Sequence, residues 1–383
     1  MKTDFIPQYY YFYNMKVLKF LLFPFAFLYG AVIFFRNLVY DLGIFPVKEF
    51  ETGIIVIGNL SVGGTGKSPM TEYLIRLLKE KFPLATLSRG YKRHTTGFLI
   101  AENDSTSFQI GDEPLQFKKK FPDVIVSVDE NRKHGIKKLL SQFPELKVIL
   151  LDDGFQHRRV KAGLSILLSD YEKMFYDDFL LPVGSLREWR AGKKRADIII
   201  VTKCPDNLSP VEKRIILKKI NPEPHQQALF SHVRYGEIKP ILNPSPREGL
   251  DTQSPFPLGR DGDGLAVILL TGVSNPKPLE DYLKDKVQNI IPIHYPDHHE
   301  YTILEVTQLA ERFNSITSQN KIIITTEKDA MRLDKLGLVE IIGKLPVYYI
   351  PIEVTFDEKE KEEFNKLITD YVIRTNQKHS RTH

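Results

Sequence analysis

The octapeptide Ser61-Val62-Gly63-Gly64-Thr65-Gly66-Lys67-Ser68 constrains this chain more than any other feature. It follows the β-branched run GIIVIGN and precedes MTEYLIRLLKEKF, whose apolar spacing is helical. A strand, a small-residue loop and a helix in that order form a phosphate-binding P-loop. Small residues let backbone N–H groups turn inward around phosphate, and the helix N-terminus adds partial positive charge. Lys67 would reach the β- and γ-phosphates, and the Ser68 hydroxyl would ligate Mg²⁺. Pro69 suits the first helical turn, where its missing N–H costs little. The pattern GxxxxGK[ST] normally begins with glycine. Here Ser61 takes that place, and Gly63, Gly64 and Gly66 keep the loop's flexible positions.

Such a loop needs an α/β sheet around it. The strand-like runs LATLS (84–88), DVIVSV (123–128), KVILLDD (147–153), LSILLSD (164–170) and ADIIIVTK (196–203) alternate with helical stretches. Continuous apolar strands of this kind predict a P-loop NTPase-type, mostly parallel sheet with helices on both faces. AVILLTGV (266–273), KIIITTEKD (321–329) and LPVYYIPIEV (345–354) are expected to be strands of a smaller carboxy-terminal α/β domain. The expected order is a membrane-associating helix at 1–45, the P-loop core at 46–230, the smaller domain at 231–355, and a charged helix and tail at 356–383. Residues 242–264, rich in Pro, Gly, Asp and Ser, read as a mobile loop, and the closing TNQKHSRTH as a frayed end.

Composition sets the class. Of 383 residues, 42% are hydrophobic and 26% charged, which excludes a disordered chain, a fibrous repeat and a polytopic membrane protein. A net charge of +5 suits an anionic substrate or a membrane surface without demanding nucleic acid. The basic residues are not interleaved with strand-borne aromatics, so no nucleic-acid partner is expected. The lone Cys204 excludes an intrachain disulfide and a cysteine zinc site, and suits a reducing compartment.

The amino-terminal segment stands apart. Residues 9–13 read YYYFY, and residues 20–35 carry no charge, with Lys16 and Lys19 before them and Arg36 after. A spanning helix wants about 20 apolar residues, whereas this run is shorter and interrupted by Pro24 and Gly30. A secretory signal would need a small-residue cleavage site before Arg36, and export would carry the phosphate loop away from ATP. A buried core helix and a single span remain alternatives. The favoured reading is an interfacial helix, aromatic and aliphatic side in the headgroup layer and cations at its ends.

VILLDDGFQHR (148–158) is a second signal: an apolar strand ending in acid, as in the strand that sets a carboxylate on the metal opposite a P-loop. Either Asp152 or Asp153 would take that role. Five cations within residues 187–195 (Arg187, Arg190, Lys193, Lys194, Arg195) surround Trp189. They read either as a solvated loop or as an anion site for a substrate phosphate or acidic headgroups. Thr202-Lys203 and residues 325–329 end strands, and would hold a purine or tie domains together.

Taken together, GNLSVGGTGKSP (58–69), SRGY (88–91), GDEP (111–114), DDGFQHR (152–158), PVGSLRE (182–188), DHH (297–299) and TTEKDA (325–330) resemble, in order, the tetraacyldisaccharide 4′-kinase family of the lipid A pathway in Gram-negative bacteria. Lys92 stands where that family often has Gly, and Ser185 where it often has Pro. The resemblance implies transfer of phosphate from ATP, with Mg²⁺, to the 4′-hydroxyl of a tetra-acylated glucosamine disaccharide 1-phosphate, giving lipid IVA. It implies that Asp112 accepts the hydroxyl proton, that His298 orients it, and that Glu113 is a neighbouring carboxylate, in a site between two domains. Gln156, His157, Arg187 and Arg89 would meet substrate, and Glu188 would add a carboxylate near the metal. It also implies a peripheral, monotopic enzyme on the cytoplasmic face of the inner membrane, and no motif calls for a protein partner. Two other functions compete: a membrane-associated P-loop ATPase or GTPase switch, and a soluble P-loop ligase or kinase. A guanine-specific switch would carry an Asn-Lys-x-Asp motif, and Thr202-Lys203-Cys204-Pro205 lacks the acid.

Overall fold

Burial explains why GIIVIGN becomes a central strand: all seven residues of Gly53–Asn59 are buried, so both faces are covered. The structure is a computed structural model that describes residues 8–242, 265–318, 320–334 and 337–380. Of the expected loop, residues 243–264 lie outside the described residues, as do residues 381–383 of the expected frayed end.

Two compact units emerge, one of Met1–Leu87, Arg132–His232 and Thr355–His383, the other of Ser88–Asn131 and Val233–Val354. This differs from the linear division expected above. Residues 88–131 cluster with the later strands rather than with the P-loop core, and the carboxy-terminal helix joins the first unit. The reason is chemical: the segment 88–131 carries a helix whose polar side chains pair with residues beyond 320, as described below.

In the first unit, parallel strands run in the order Gln227–Tyr235, Ile198–Cys204, Leu164–Asp170, Gly53–Asn59, Val148–Leu151, Leu84–Ser88. The strand that feeds the P-loop therefore lies between Leu164–Asp170 and the strand that ends in the DD motif. Loops leaving such a point at the carboxyl ends diverge and leave room for a ligand. Helix Glu358–Ser380 covers this unit through Phe364, Ile368 and Val372, spaced four apart and fully buried. Its Tyr371 hydroxyl donates to the Ile54 carbonyl at 3.2 Å. The helix continues through residues 375–380, where a frayed end was expected; Asn376 donates to the Val372 carbonyl at 2.7 Å. The amino-terminal helix, Gln8–Asp41, runs unbroken through Pro24 and Gly30. Its 34 residues make it about 50 Å long.

The second unit is built on a five-stranded sheet, in the order Asn289–His294, Ala266–Thr271, Lys321–Thr326, Val347–Ile350, Lys239–Pro240. The first four are parallel and the last antiparallel. Ile268 and Leu270 pack into one apolar cluster while Val267 and Leu269 pack into another, so both sheet faces are covered. The strand expected to run to residue 329 stops at Thr326. The Thr326 hydroxyl accepts from the Asp329 N–H at 3.2 Å and starts helix Glu327–Leu333 instead.

Candidate active site

Glycines set the phosphate loop's path: φ is 111° at Gly63 and 84° at Gly66, in the region that costs other residues most. Gly66 precedes helix Lys67–Leu78, and no side chain caps that helix. Its first N–H groups are the anion-binding end of the helix dipole. Polar side chains of the same unit hold the loop. Asn59 donates to the Thr65 hydroxyl at 2.8 Å, Thr202 to the Thr65 carbonyl at 2.9 Å, and Lys203 to the Gly64 carbonyl at 2.5 Å. Thr202 and Lys203 thus tie the loop to the sheet. Ser61, Thr65 and Ser68 are buried, and Val62 is exposed.

Beside the loop, Asp152 and Asp153 differ in environment. Asp152 is buried; its carboxylate accepts from Thr71 at 3.2 Å, and its carbonyl from Arg132 at 3.1 Å. Asp153 adopts φ of 50°, a left-handed conformation that aspartate tolerates better than most residues. Its Oδ2 accepts from Arg187 at 3.1 Å. Its Oδ1 lies 3.5 Å from Lys67 Nζ and accepts no hydrogen bond although buried. Burial pushes this carboxyl upward, but Lys67 and Arg187 outweigh it and bring it down to about 2.

Arg187 is the hub of this cluster. Besides Asp153 it donates to the Ser61 carbonyl (3.2 Å), to Asn59 Oδ1 (2.9 Å) and to Gln156 Oε1 (3.3 Å). Gln156 in turn donates to the Asn59 carbonyl at 2.8 Å and to Glu188 at 3.0 Å. Glu188, 2% exposed, also pairs with Arg195 at 2.8 Å and accepts from Asn37 at 3.3 Å, so both of its oxygens are engaged. His157 is half-buried at the turn after the DD motif.

The amino-terminal helix belongs to the same network. Tyr29 donates to the Arg187 carbonyl at 2.7 Å, Arg36 to the Gln156 carbonyl at 2.9 Å, and Trp189 to the Gly30 carbonyl at 2.7 Å. A Cβ on Gly30 would stand 2.6 Å from the Trp189 ring, so glycine is what lets the ring dock. The cations expected to form a solvated loop or an anion site have partners within the unit: Arg190 the Asp178 carbonyl, Lys193 the Asn221 carbonyl, Lys194 Glu223 and Arg195 Glu188. The opposite face of the helix is bare. Phe20, Phe25, Phe27 and Phe35 are each more than 60% exposed.

The remaining site residues fall in the second unit. Helix Asp112–Lys120 begins at Gly111, whose φ of 90° and close approach to the Tyr91 carbonyl (3.0 Å from an added Cβ) exclude a side chain. Asp112 and Glu113 occupy its first turn and Lys118, Lys119 and Lys120 its last, the arrangement the helix dipole favours. The linear reading put Asp112 and His298 in different domains; both belong to this unit, with Asp112 Oδ2 3.6 Å from His298 Nδ1. Burial raises the Asp112 carboxyl, but His298 and Arg332 outweigh it and hold it below the ordinary aspartate value. His298 has φ of 60°, and Tyr91 meets its ring edge-on at 5.4 Å. Glu113 pairs with Lys328 at 2.8 Å, which holds its carboxyl low against burial. Arg89 is exposed.

Sequence reasoning missed Arg332 altogether, and gave residues 325–329 only two open roles, holding a purine or tying domains together. That stretch forms the helix against which Asp112–Lys120 packs. Gln116 and Lys120 both bond Glu327, Lys119 pairs with Asp334, Glu113 with Lys328 and Asp112 with Arg332. The only signal was composition: charges of opposite sign on two short helices far apart in sequence. Lys92, which replaces a common glycine of the family, has φ of 58°, in the left-handed region that favours glycine. Ser185, where the family often has proline, donates its N–H and hydroxyl to Asp178, and proline has no N–H to give.

With this geometry in view, the likenesses to known proteins are informative. The family model described as tetraacyldisaccharide-1-P 4′-kinase (LpxK) matches residues 18–372. A tetraacyldisaccharide 4′-kinase of Bacteroides thetaiotaomicron is 46% identical over 353 residues, 92% of either chain. One from Flavobacterium johnsoniae is 43% identical over 358 residues, 94% of this chain and 98% of that one. The crystal structure of LpxK from Aquifex aeolicus in complex with ATP superposes with a TM-score of 0.68 at 28% identity, covering 93% of this chain and 99% of that one. A P-loop on a parallel sheet, an acidic strand end beside it and full-length similarity lead to one conclusion: the chain belongs to the tetraacyldisaccharide-1-P 4′-kinase family.

Proposed function

We propose that this chain transfers the γ-phosphoryl group of ATP to the 4′-hydroxyl of a tetra-acylated glucosamine disaccharide 1-phosphate, giving lipid IVA, at the cytoplasmic face of the inner membrane. Family membership supports the reaction and favours a kinase over an ATPase or GTPase switch. One observation carries the assignment of the proton acceptor: an ionised carboxylate, Asp112, at a helix N-terminus with an imidazole 3.6 Å away.

Loop residues Ser61, Val62, Gly63, Gly64, Thr65 and Gly66 present backbone to the phosphates, and Lys67 neutralises the transferring group. The residues present fit Mg²⁺. Asp153 Oδ1 is a buried carboxylate oxygen without a hydrogen bond, beside Lys67 and the Ser68 turn, and the group stays ionised down to about pH 2. Ser68 with Asp152 or Asp153 would hold the ion, which would supply positive charge against the phosphates. Few protein ligands suffice for Mg²⁺, in keeping with the lack of any cluster of three or more His, Cys, Asp or Glu among the described residues. Glu188, Glu113 and Gln156 already hold partners, and in this reading they position neighbours. Arg187 and His157 remain candidates for substrate contact, as does the exposed Arg89.

At the acceptor end, Asp112 takes the proton from the 4′-hydroxyl as that oxygen attacks the γ-phosphorus and ADP leaves. For the membrane, the support is the two-sided helix. One side bonds Arg187, Gln156 and Trp189, while the other leaves a phenylalanine-rich face to solvent, and only 11% of its most apolar window is buried. A face of this kind fits the headgroup–acyl boundary. The test is transfer of labelled phosphate from ATP to the detergent-dispersed lipid precursor. Labelled lipid that Lys67→Ala abolishes is expected; ATP hydrolysis with no lipid product would overturn the reading.

A further inference from the structure

We propose that Arg332 is the positioning residue of the acceptor pair: its buried guanidinium clamps the Asp112 carboxylate and the His298 ring together and fixes the ring's tautomer. This rests on the reading of Asp112 as proton acceptor given above. Arg332 is 2% exposed, and each of its three guanidinium nitrogens has a partner. Nε reaches Asp112 Oδ2 at 2.8 Å, Nη1 reaches Asp329 Oδ1 at 2.8 Å and the Gly272 carbonyl at 2.9 Å, and Nη2 lies 3.2 Å from His298 Nδ1.

Because a guanidinium carries no acceptor, a hydrogen bond at this contact requires His298 Nδ1 to accept, which in the neutral ring puts the proton on Nε2. Asp329 anchors the clamp from behind. It is fully buried, and its Oδ2 accepts from the Gly272 N–H at 2.9 Å and from the Thr326 hydroxyl at 2.7 Å. Gly272 also ties down the segment that carries the histidine, because its carbonyl accepts from the His298 N–H at 3.1 Å. Helix Glu327–Leu333 therefore reaches both members of the pair through one side chain. This gives the TTEKDA stretch and its continuation a task in the reaction other than the purine or domain-tying roles expected from sequence.

The charges around Asp112 define what removing the clamp does. Arg332 faces it from its own helix, with Lys328 one turn back, Asp329 behind and Tyr301 alongside. His298 faces it from the DHH loop, with Asp297 4.0 Å from that ring's Nε2, and Glu113 follows it on its own helix. Taking Arg332 away removes the cation that touches the carboxylate and leaves the repulsion of Glu113 in place. The carboxyl then rises, so the pH below which kcat falls moves upward.

The first experiment needs no variant. The ¹⁵N shifts of the His298 ring in the full-length enzyme should report a proton on Nε2 in the neutral ring; a proton on Nδ1 overturns the clamp. The second compares Arg332→Gln and Arg332→Lys in lipid phosphorylation across pH. Arg332→Gln should lower kcat on the order of 10²-fold, leave KM for ATP within about twofold, and shift the acidic limb of kcat to higher pH. Arg332→Lys, which keeps the charge, should restore most of the limb's position but less of kcat. If Arg332→Gln does not fold, the lysine variant and the ring shifts still decide. An unshifted acidic limb in folded variants would overturn the positioning role. Asp112→Asn separates the two claims: near-normal turnover there refutes the acceptor itself, whereas lost turnover beside unchanged Arg332 variants refutes only the clamp.

Discussion

Each unit is organised around one arginine, and the two arginines are used differently. Arg187 has a side chain 23% exposed and spreads its donors over Asn59, Ser61, Asp153 and Gln156. Arg332 has a side chain 2% exposed and is spent on Asp112, Asp329, Gly272 and His298. A half-open guanidinium can exchange a protein partner for an incoming phosphate oxygen, because water already shares its surroundings. A buried one has nothing to exchange. In the reading proposed above, the first would meet a ligand and the second would hold residues that meet one. The difference also bears on stability, since removing one partner of a buried pair leaves an uncompensated charge, while an open pair relaxes into solvent.

The hardest test of this contrast is at the chemistry. Asp112→Asn should cut kcat by roughly 10²–10⁴-fold with ATP affinity nearly unchanged, measured by lipid phosphorylation and nucleotide titration. His298→Ala should cost comparably, and the double variant far less than the product of the two, as groups acting as a unit do. Lys67→Ala should lower kcat/KM for ATP on the order of 10²-fold or more, and combined with Asp112→Asn its defect should multiply. A sub-multiplicative Lys67–Asp112 pair would break the division of labour between the units. Next in size is the membrane face. Aspartates at Phe25, Phe27 and Phe35 should release the enzyme from liposomes and raise KM for lipid more than for ATP. Those substitutions are sharper than deleting the helix, because Tyr29, Arg36 and Asn37 bond the Arg187 network and their loss should disturb ATP as well. The smallest effect concerns Lys92. Lys92→Gly should stabilise the fold by about 1 kcal/mol in denaturant titration, since glycine takes a φ of 58° without strain.

What could be read from the sequence follows the same divide. The P-loop was legible because its loop, its helix and its lysine are contiguous, and a strand run ending in Asp152-Asp153 announces itself locally. The contents of the second unit were not. Nothing in GDEP or TTEKDAMRL says that the two helices face each other, because their ladder of ion pairs joins positions more than 200 apart, as at Lys120 and Glu327. Strand Asn289–His294 escaped notice because it is half exposed and holds Pro292, which weakens both period and propensity. Gly30 and Pro24 were read as interruptions of a helix. Gly30 is instead the contact that lets Trp189 dock, which no pattern within residues 20–35 could reveal.

The chain crosses between units at residues 87/88, 131/132, 232/233 and 354/355, and the first unit closes only with helix Glu358–Ser380. On the ribosome this sets an order. Strand Gly53–Asn59 emerges early, yet the side chains that cover it from the last helix, with Tyr371 bonded to Ile54, are made about 300 residues later. At roughly 5–20 residues per second, the nucleotide unit waits some 15–60 seconds for its own carboxyl end. Throughout that interval the helix with its exposed phenylalanine face is already synthesised, so that apolar face is presented long before the fold that its other side docks on is finished.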